Sequence, residues 1–149
     1  MKPSKKHCLT QQEIEEQLRG AGVQPTLQRI LICQFVLCEA DHPTAEEVHL
    51  WAEKNLAKIS LATVYNTLNT LVDAGLLKEL KFPHSDKVIY DDNMEEHYHF
   101  LDRKSGKLFD IAKGDVKISA QLAKQFQIQG FDLLINGNYQ RDLKKGGSL

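Results

Sequence analysis

The segment SLATVYNTLNTLVDAGLLKELKF, residues 60–82 of the 149-residue chain, decides how the first half folds. Ser60 is a good helix N-cap, since its hydroxyl accepts a hydrogen bond from an amide of the first turn, and Gly75 is a good stop. Between them Leu61, Val64, Leu68, Leu71 and Val72 recur at helical spacing and predict a buried stripe. The other face carries Ala62, Tyr65, Asn66, Asn69 and Thr70, with Asp73 its only charge. A solvated helix face usually carries lysine and glutamate. Amide, hydroxyl and phenol groups instead exchange hydrogen bonds with base edges and phosphates, and the bland alternative is a polar face packed on a neighbour.

Immediately after this helix, LLKELKF, PHSD and KVIYD read as strand, turn and strand. Upstream, Thr10 to Glu13 has capping-box spacing for a first helix over residues 11–20, and Leu27, Ile30, Leu31, Phe35 and Leu37 predict a second, running to about Glu39. Thr44 to Glu47 opens a third, with Val48, Trp51, Ala52 and Leu56 on one stripe. Three helices, a polar-faced fourth and a hairpin make the order of a winged helix-turn-helix, with Leu76 to Asp91 as the wing. The fourth helix would enter a major groove. Arg29, Lys58, Lys78, Lys81 and Lys87 are cations for phosphates, set against a formal net charge of −1.

Composition is that of a globular protein, at 42% hydrophobic and 26% charged residues. No apolar run is long enough to span a bilayer, and the start, MKPSKKHCLTQQE, lacks the apolar core of a signal peptide, so a cytoplasmic protein with no membrane partner is expected. Cys8, Cys33 and Cys38 are odd in number and form no Cys-x-x-Cys. They are expected to be ordinary reduced thiols.

The chain changes character at residues 92–96, read as a hinge. The remainder, 97–149, offers the strands HYHFLD and KLFDI, a helix GDVKISAQLAKQF and a final strand FQIQGFDLLING. The overall class is α+β, a winged-helix domain over 1–91 followed by a small α/β unit. So small a unit buries a poor core by itself, and a homodimer built through it is expected.

Within this second part, His97 and His99 stand two apart in a strand and so share a face. A turn at Arg103 to Gly106 sets His99 opposite Asp110, with cross-strand Cβ atoms about 5 Å apart. Asp91 ends the wing six residues before His97, and His42 precedes the third helix. Nitrogen and oxygen donors without thiolate suit divalent Fe, Mn or Zn. The competing interpretation is a half-exposed histidine pair with no ion.

The chain resembles the ferric uptake regulator (Fur) family of metal-dependent transcription factors over nearly its whole length. The motifs are Pro25-Thr26-Leu27-Gln28-Arg29, HPTAEEV, SLATVYNTLNTLVDAGLL and YDDNMEEHYHF. The resemblance implies a DNA-binding homodimer on a double-stranded operator, without a small-molecule substrate, held in a DNA-competent shape by one regulatory Fe2+ or Mn2+ per subunit, with Zn2+ a substitute in vitro. It implies His42, Asp91, His97, His99 and Asp110 as ligands, Tyr65 as base reader, and Ser60, Thr63, Asn66 and Arg29 near base edges or phosphates. Aspartate at 110 is similar to the peroxide-sensing branch, in which Fe(II) and peroxide oxidise a histidine corresponding to His42 or His97 and the repressor lets go. Iron- or haem-responsive members share the pattern and form the alternative. Most members also carry two Cys-x-x-C pairs for a structural zinc, where this chain has Asp102, Ser105, Tyr139 and Asp142, so that zinc is expected to be absent. A family histidine near the end stands here as Phe131.

A rival of another class is a non-haem metalloenzyme, since two histidines and a carboxylate also form a facial triad. Such triads usually sit in strand-rich barrels, whereas this chain opens with four helices.

Overall fold

The computed structural model describes residues 8–82 and 85–140. The leader reading of residues 1–7, Pro83 and His84 of the wing turn, and Asp142 lie outside them. Two compact units make up the chain, Met1–Met94 and Glu95–Leu149. The class is α+β, with helices and a two-stranded hairpin in the first unit and a three-stranded sheet in the second.

In the first unit, α1 (Gln11–Gly20) opens on a reciprocal capping box. Thr10 Oγ1 accepts from the Glu13 amide, and the Glu13 carboxylate accepts from the Thr10 amide, each at 3.2 Å. Helix α2 (Leu27–Gln34) runs into a π turn, Phe35–Glu39, closed by the Ala40 amide on the Phe35 carbonyl at 2.8 Å. The wider turn rotates the chain relative to a plain helix. Ile30, Ile32, Cys33, Val36 and Leu37 are inside, while Leu27, counted in the expected stripe, is 66% exposed at the first position of α2.

Helix α3 (Ala45–Asn55) is capped by Thr44 and α4 (Leu61–Asp73) by Ser60. Ile14, Leu18, Ile32, Val48, Val64, Leu68 and Leu71 from all four helices meet in one core, closed by Leu77 and Tyr90. Each such aliphatic side chain contributes roughly 1.5–3 kcal/mol on burial. The hairpin pairs β1 (Lys78–Lys81) with β2 (Val88–Asp91) antiparallel, Lys78 opposite Asp91. On the other edge of β2 the Tyr90 amide donates to the Pro43 carbonyl at 2.8 Å, and Thr44 bridges Ile89. That stitch fixes the entry of α3 against the last strand of the wing.

One expectation fails here. Cys8 and Cys38 form a disulfide across 30 residues, leaving Cys33 single and buried. An odd count rules out complete pairing but not one bridge, and linear spacing does not reveal which chain ends packing brings together.

In the second unit, β3 (His97–Asp102) lies between β4 (Leu108–Ala112), antiparallel, and β5 (Leu134–Gly137), parallel. The turn between β3 and β4 closes with the Asp102 amide on the Lys107 carbonyl at 2.9 Å, and Gly106 takes φ 75°. A side chain there would be strained. The long helix expected over 114–126 is instead a 3-10 turn, Lys113–Asp115, and a six-residue α5, Ala120–Gln125. β-Branched Val116 and Ile118 disfavour helix, and Ser119 caps a new start by accepting from the Leu122 amide at 3.4 Å. The last strand is likewise shorter than expected, beginning only at Leu134.

Candidate metal centre and nucleic-acid interface

The first unit brings together His42 and Asp91. Because Pro43 and Thr44 are stitched to β2, His42 reaches the strand's end, with Nε2 3.6 Å from Asp91 Oδ2. The Asp91 side chain is 1% exposed. A carboxylate so buried needs partners, and the Asn93 amide donates to its Oδ1 at 2.9 Å. His42 takes φ 46°, the only positive φ of a non-glycine residue among the described residues. Left-handed backbone at such a residue costs about 1–3 kcal/mol and often marks a functional position. Asp41 Oδ1 accepts from Nδ1 of His42 at 2.8 Å, which fixes the tautomer and makes Nε2 the basic nitrogen.

The second unit brings together His97, His99 and Asp110. Strand pairing sets His99 directly opposite Asp110, the register expected from the turn. Nε2 of His97 and Nε2 of His99 are 3.0 Å apart, and Asp110 Oδ1 lies 3.6 and 3.7 Å from them. Nδ1–H of His97 donates to the Glu95 carbonyl at 2.6 Å, so its Nε2 carries the lone pair. Two imidazole nitrogens this close share either a proton or a cation. Ligand bonds of about 2.0–2.2 Å hold donors roughly 3 Å apart, so the trio fits a divalent ion. Both imidazoles are at least nine-tenths buried, while Asp110 is 38% exposed.

On α4, Ser60 and Asn66 are exposed and Thr63 and Tyr65 half-buried. Ser60 Oγ lies 3.0 Å from Thr63 Oγ1 and accepts from the Thr63 amide. The Tyr65 hydroxyl donates to Glu46 Oε1 at 3.0 Å, and that carboxylate pushes the phenol pKa up. Thr70, expected on the polar face, is buried and donates to the Asn66 carbonyl at 2.8 Å. Arg29 stands at the base of α2, where its Nη1 donates to the Gln24 carbonyl at 2.9 Å. Its buried Nε has no protein partner among the described residues.

Asp41, the Glu95 carbonyl and Glu46 escape a reading by motif. Asp41 had a signal, since it directly precedes His42. Glu46 had none, because it meets Tyr65 across 19 residues.

Three positions aligned with the missing zinc pairs are also joined. Asp102, 3% exposed, accepts from the Ser105 hydroxyl at 2.5 Å and from the Tyr139 amide at 3.3 Å, while Phe109 stacks on the Tyr139 ring at 4.5 Å. The Ser105 hydroxyl holds the Asp102 carboxyl below its ordinary range. Phe131 stacks on Tyr98 at 4.8 Å and offers no donor atom.

Residues 20–136 match the model of the ferric uptake regulator family. The chain belongs to that family. It is 36% identical over 124 residues to the peroxide-responsive repressor PerR of Staphylococcus epidermidis, covering 81% of each chain. The Vibrio cholerae ferric uptake regulator superposes with a TM-score of 0.66 at 25% identity, over 84% of this chain and 98% of that one. The Helicobacter pylori ferric uptake regulator has the same fold at 20% identity, with a TM-score of 0.71 over 93% and 97%. The protein is accordingly a metal-dependent transcriptional regulator, and the enzyme reading falls away because the family and the fold are those of regulators.

Proposed function

We propose that this Fur-family protein is a homodimeric repressor in which one Fe2+ or Mn2+ per subunit takes donors from both sets, His42 and Asp91 with His97, His99 and Asp110. The observation that carries this is the convergence of two imidazole nitrogens and a carboxylate within 3.0 to 3.7 Å. Each set by itself is too small for ions that accept five or six ligands, and zinc with four is the in vitro substitute. Residues 1–91 read double-stranded DNA, 92–96 act as hinge, and 97–149 dimerise and sense. Tyr65 reads a base, Ser60, Thr63 and Asn66 flank it, and Arg29 meets phosphate. The protein works in the cytoplasm; no described helix is long and apolar enough to cross a membrane.

Holding two recognition helices at one spacing requires a fixed hinge, because both must reach successive major grooves. Moving such an equilibrium from 1:99 to 99:1 takes about 5.5 kcal/mol of preferential binding, within reach of several added ligands. Fe2+ held by these residues would supply the redox chemistry that activates hydrogen peroxide, so that one peroxide oxygen is transferred to a ligand imidazole and the other leaves as water. His42 or His97 would be the imidazole that takes up the oxygen, and the weakened ligand set would then release both metal and operator. The aspartate at 110 and the peroxide-responsive relative support this branch over an iron- or haem-responsive one.

Mn2+ titration and gel shifts on an operator selected from random duplex DNA test the reading. His42→Ala and His99→Ala should each weaken metal binding by more than about tenfold and operator binding with it. Retained Mn2+ affinity in His42→Ala, alongside loss in His99→Ala, would restrict the ion to the second unit and remove the hinge mechanism.

A further inference from the structure

We propose that Cys8 and Cys38 form a reversible thiol–disulfide couple that tunes the metal site through His42, an inference that rests on the ligand role given to His42 above. Cys8 lies just before the capping box of α1, and Cys38 sits in the π turn, with Cα atoms 4.9 Å apart. The π turn, the Cys38 bridge and the left-handed His42 fall within eight residues of chain, Phe35 to His42. Past Ala40 the same segment is fastened on its other side by the Pro43–Tyr90 hydrogen bond. His42 is thus held between a covalent tie and a strand. Removing the tie frees the π turn to relax, and with it the unfavourable φ that presents Nε2 toward Asp91.

The third thiol has a different environment. Cys33 is fully buried in the core, where desolvation pushes its pKa to about 12. Little thiolate exists there at neutral pH, so it neither attacks the bridge nor competes for an oxidant. Cys8 is exposed and Cys38 half-buried, which leaves the couple open to small reagents. Disulfides in reducing compartments are mostly transient or sensing rather than architectural.

The chemistry closes with a hydroperoxide as oxidant. One thiolate attacks the peroxide oxygen, the O–O bond breaks, and an alcohol leaves, or water from hydrogen peroxide itself. The resulting sulfenic acid is attacked by the second thiol, the S–S bond forms and water departs. Two thiols lose two electrons and the peroxide gains them. A small dithiol reverses the reaction by exchange.

The test uses the full-length protein, alkylated with iodoacetamide and mapped by mass spectrometry before and after dithiothreitol and after stoichiometric hydrogen peroxide, together with Mn2+ titration of each form. The expected result is a Cys8–Cys38 cross-linked peptide that disappears on reduction and returns with peroxide. Mn2+ affinity of the reduced form should be lower by roughly fivefold, the low end of ordinary coupling between two sites. Cys8→Ser should match the reduced form and ignore dithiothreitol. A missing cross-link in the peroxide-treated protein would overturn the couple, and a cross-link with equal Mn2+ affinities would overturn its link to His42. If His42→Ala leaves Mn2+ binding intact while the cross-link still forms and breaks, the ligand assignment fails and the couple stands.

Discussion

The two units solve the problem of stability in opposite ways. The first, from α1 to the wing, buries aliphatic side chains from four helices around Leu68 and Ile32, both fully enclosed. The second leans on strand pairing and on the Asp102 cluster. Among its described apolar residues only Tyr98 and Leu108 are buried, while Leu122, Phe126, Ile128, Ile135 and Tyr139 are 40 to 55% exposed. Helix α5 is exposed along its whole length. Six residues form a marginal helix without tertiary support. The first unit therefore has a core of its own, and the second displays the kind of surface that a second copy covers.

The contrast is sharpened most by Leu68→Ala. A cavity in a closed core should cost about 2–5 kcal/mol, with a denaturation midpoint independent of protein concentration. A midpoint that rose with concentration would mean that the first unit depends on association too. For the second unit, Phe126→Asp places a charge on the exposed apolar face. On the proposal that this unit pairs with a second copy, sedimentation should report a dimer for the wild type and a monomer for the variant, with the Leu68 core intact by circular dichroism. An unchanged dimer would locate its interface elsewhere.

The smallest effect comes from Asp102. Its carboxyl is held below the ordinary value of 3.8 by the Ser105 hydroxyl and by amide donors, so the stabilisation is complete above that value. As pH falls through the folded pKa the group protonates and the contribution is lost. The thermal midpoint of the second unit should therefore drop faster below pH 3.8 in wild type than in Asp102→Asn. Parallel acid curves would show that Ser105 and Tyr139 hold nothing that depends on this charge.

Much of the site was legible because strand geometry is periodic. A two-residue repeat put His97 and His99 on one face, and counting from the turn gave the pairing of His99 with Asp110. The helix boundaries of α1 and α4 were legible for a similar reason, since Thr10 and Ser60 cap by local hydrogen bonds. Leu27 misled because it is the first residue of α2, next to the Thr26 cap, and helical spacing does not tell that the buried stripe begins only at Ile30.

What the sequence determined by itself, then, is whatever depends on near neighbours: caps, turns, alternation, and the donor types of the five candidate ligands. Tertiary structure decided that Cys8 meets Cys38, that Glu46 holds Tyr65, that Pro43 fastens His42 beside Asp91, and that Asp102 gathers Ser105 and the Tyr139 amide. Most of these contacts join residues far apart in the chain. They form only when burial of apolar surface compensates the entropy of closing the intervening loops, a balance struck by the whole core and encoded at no single position.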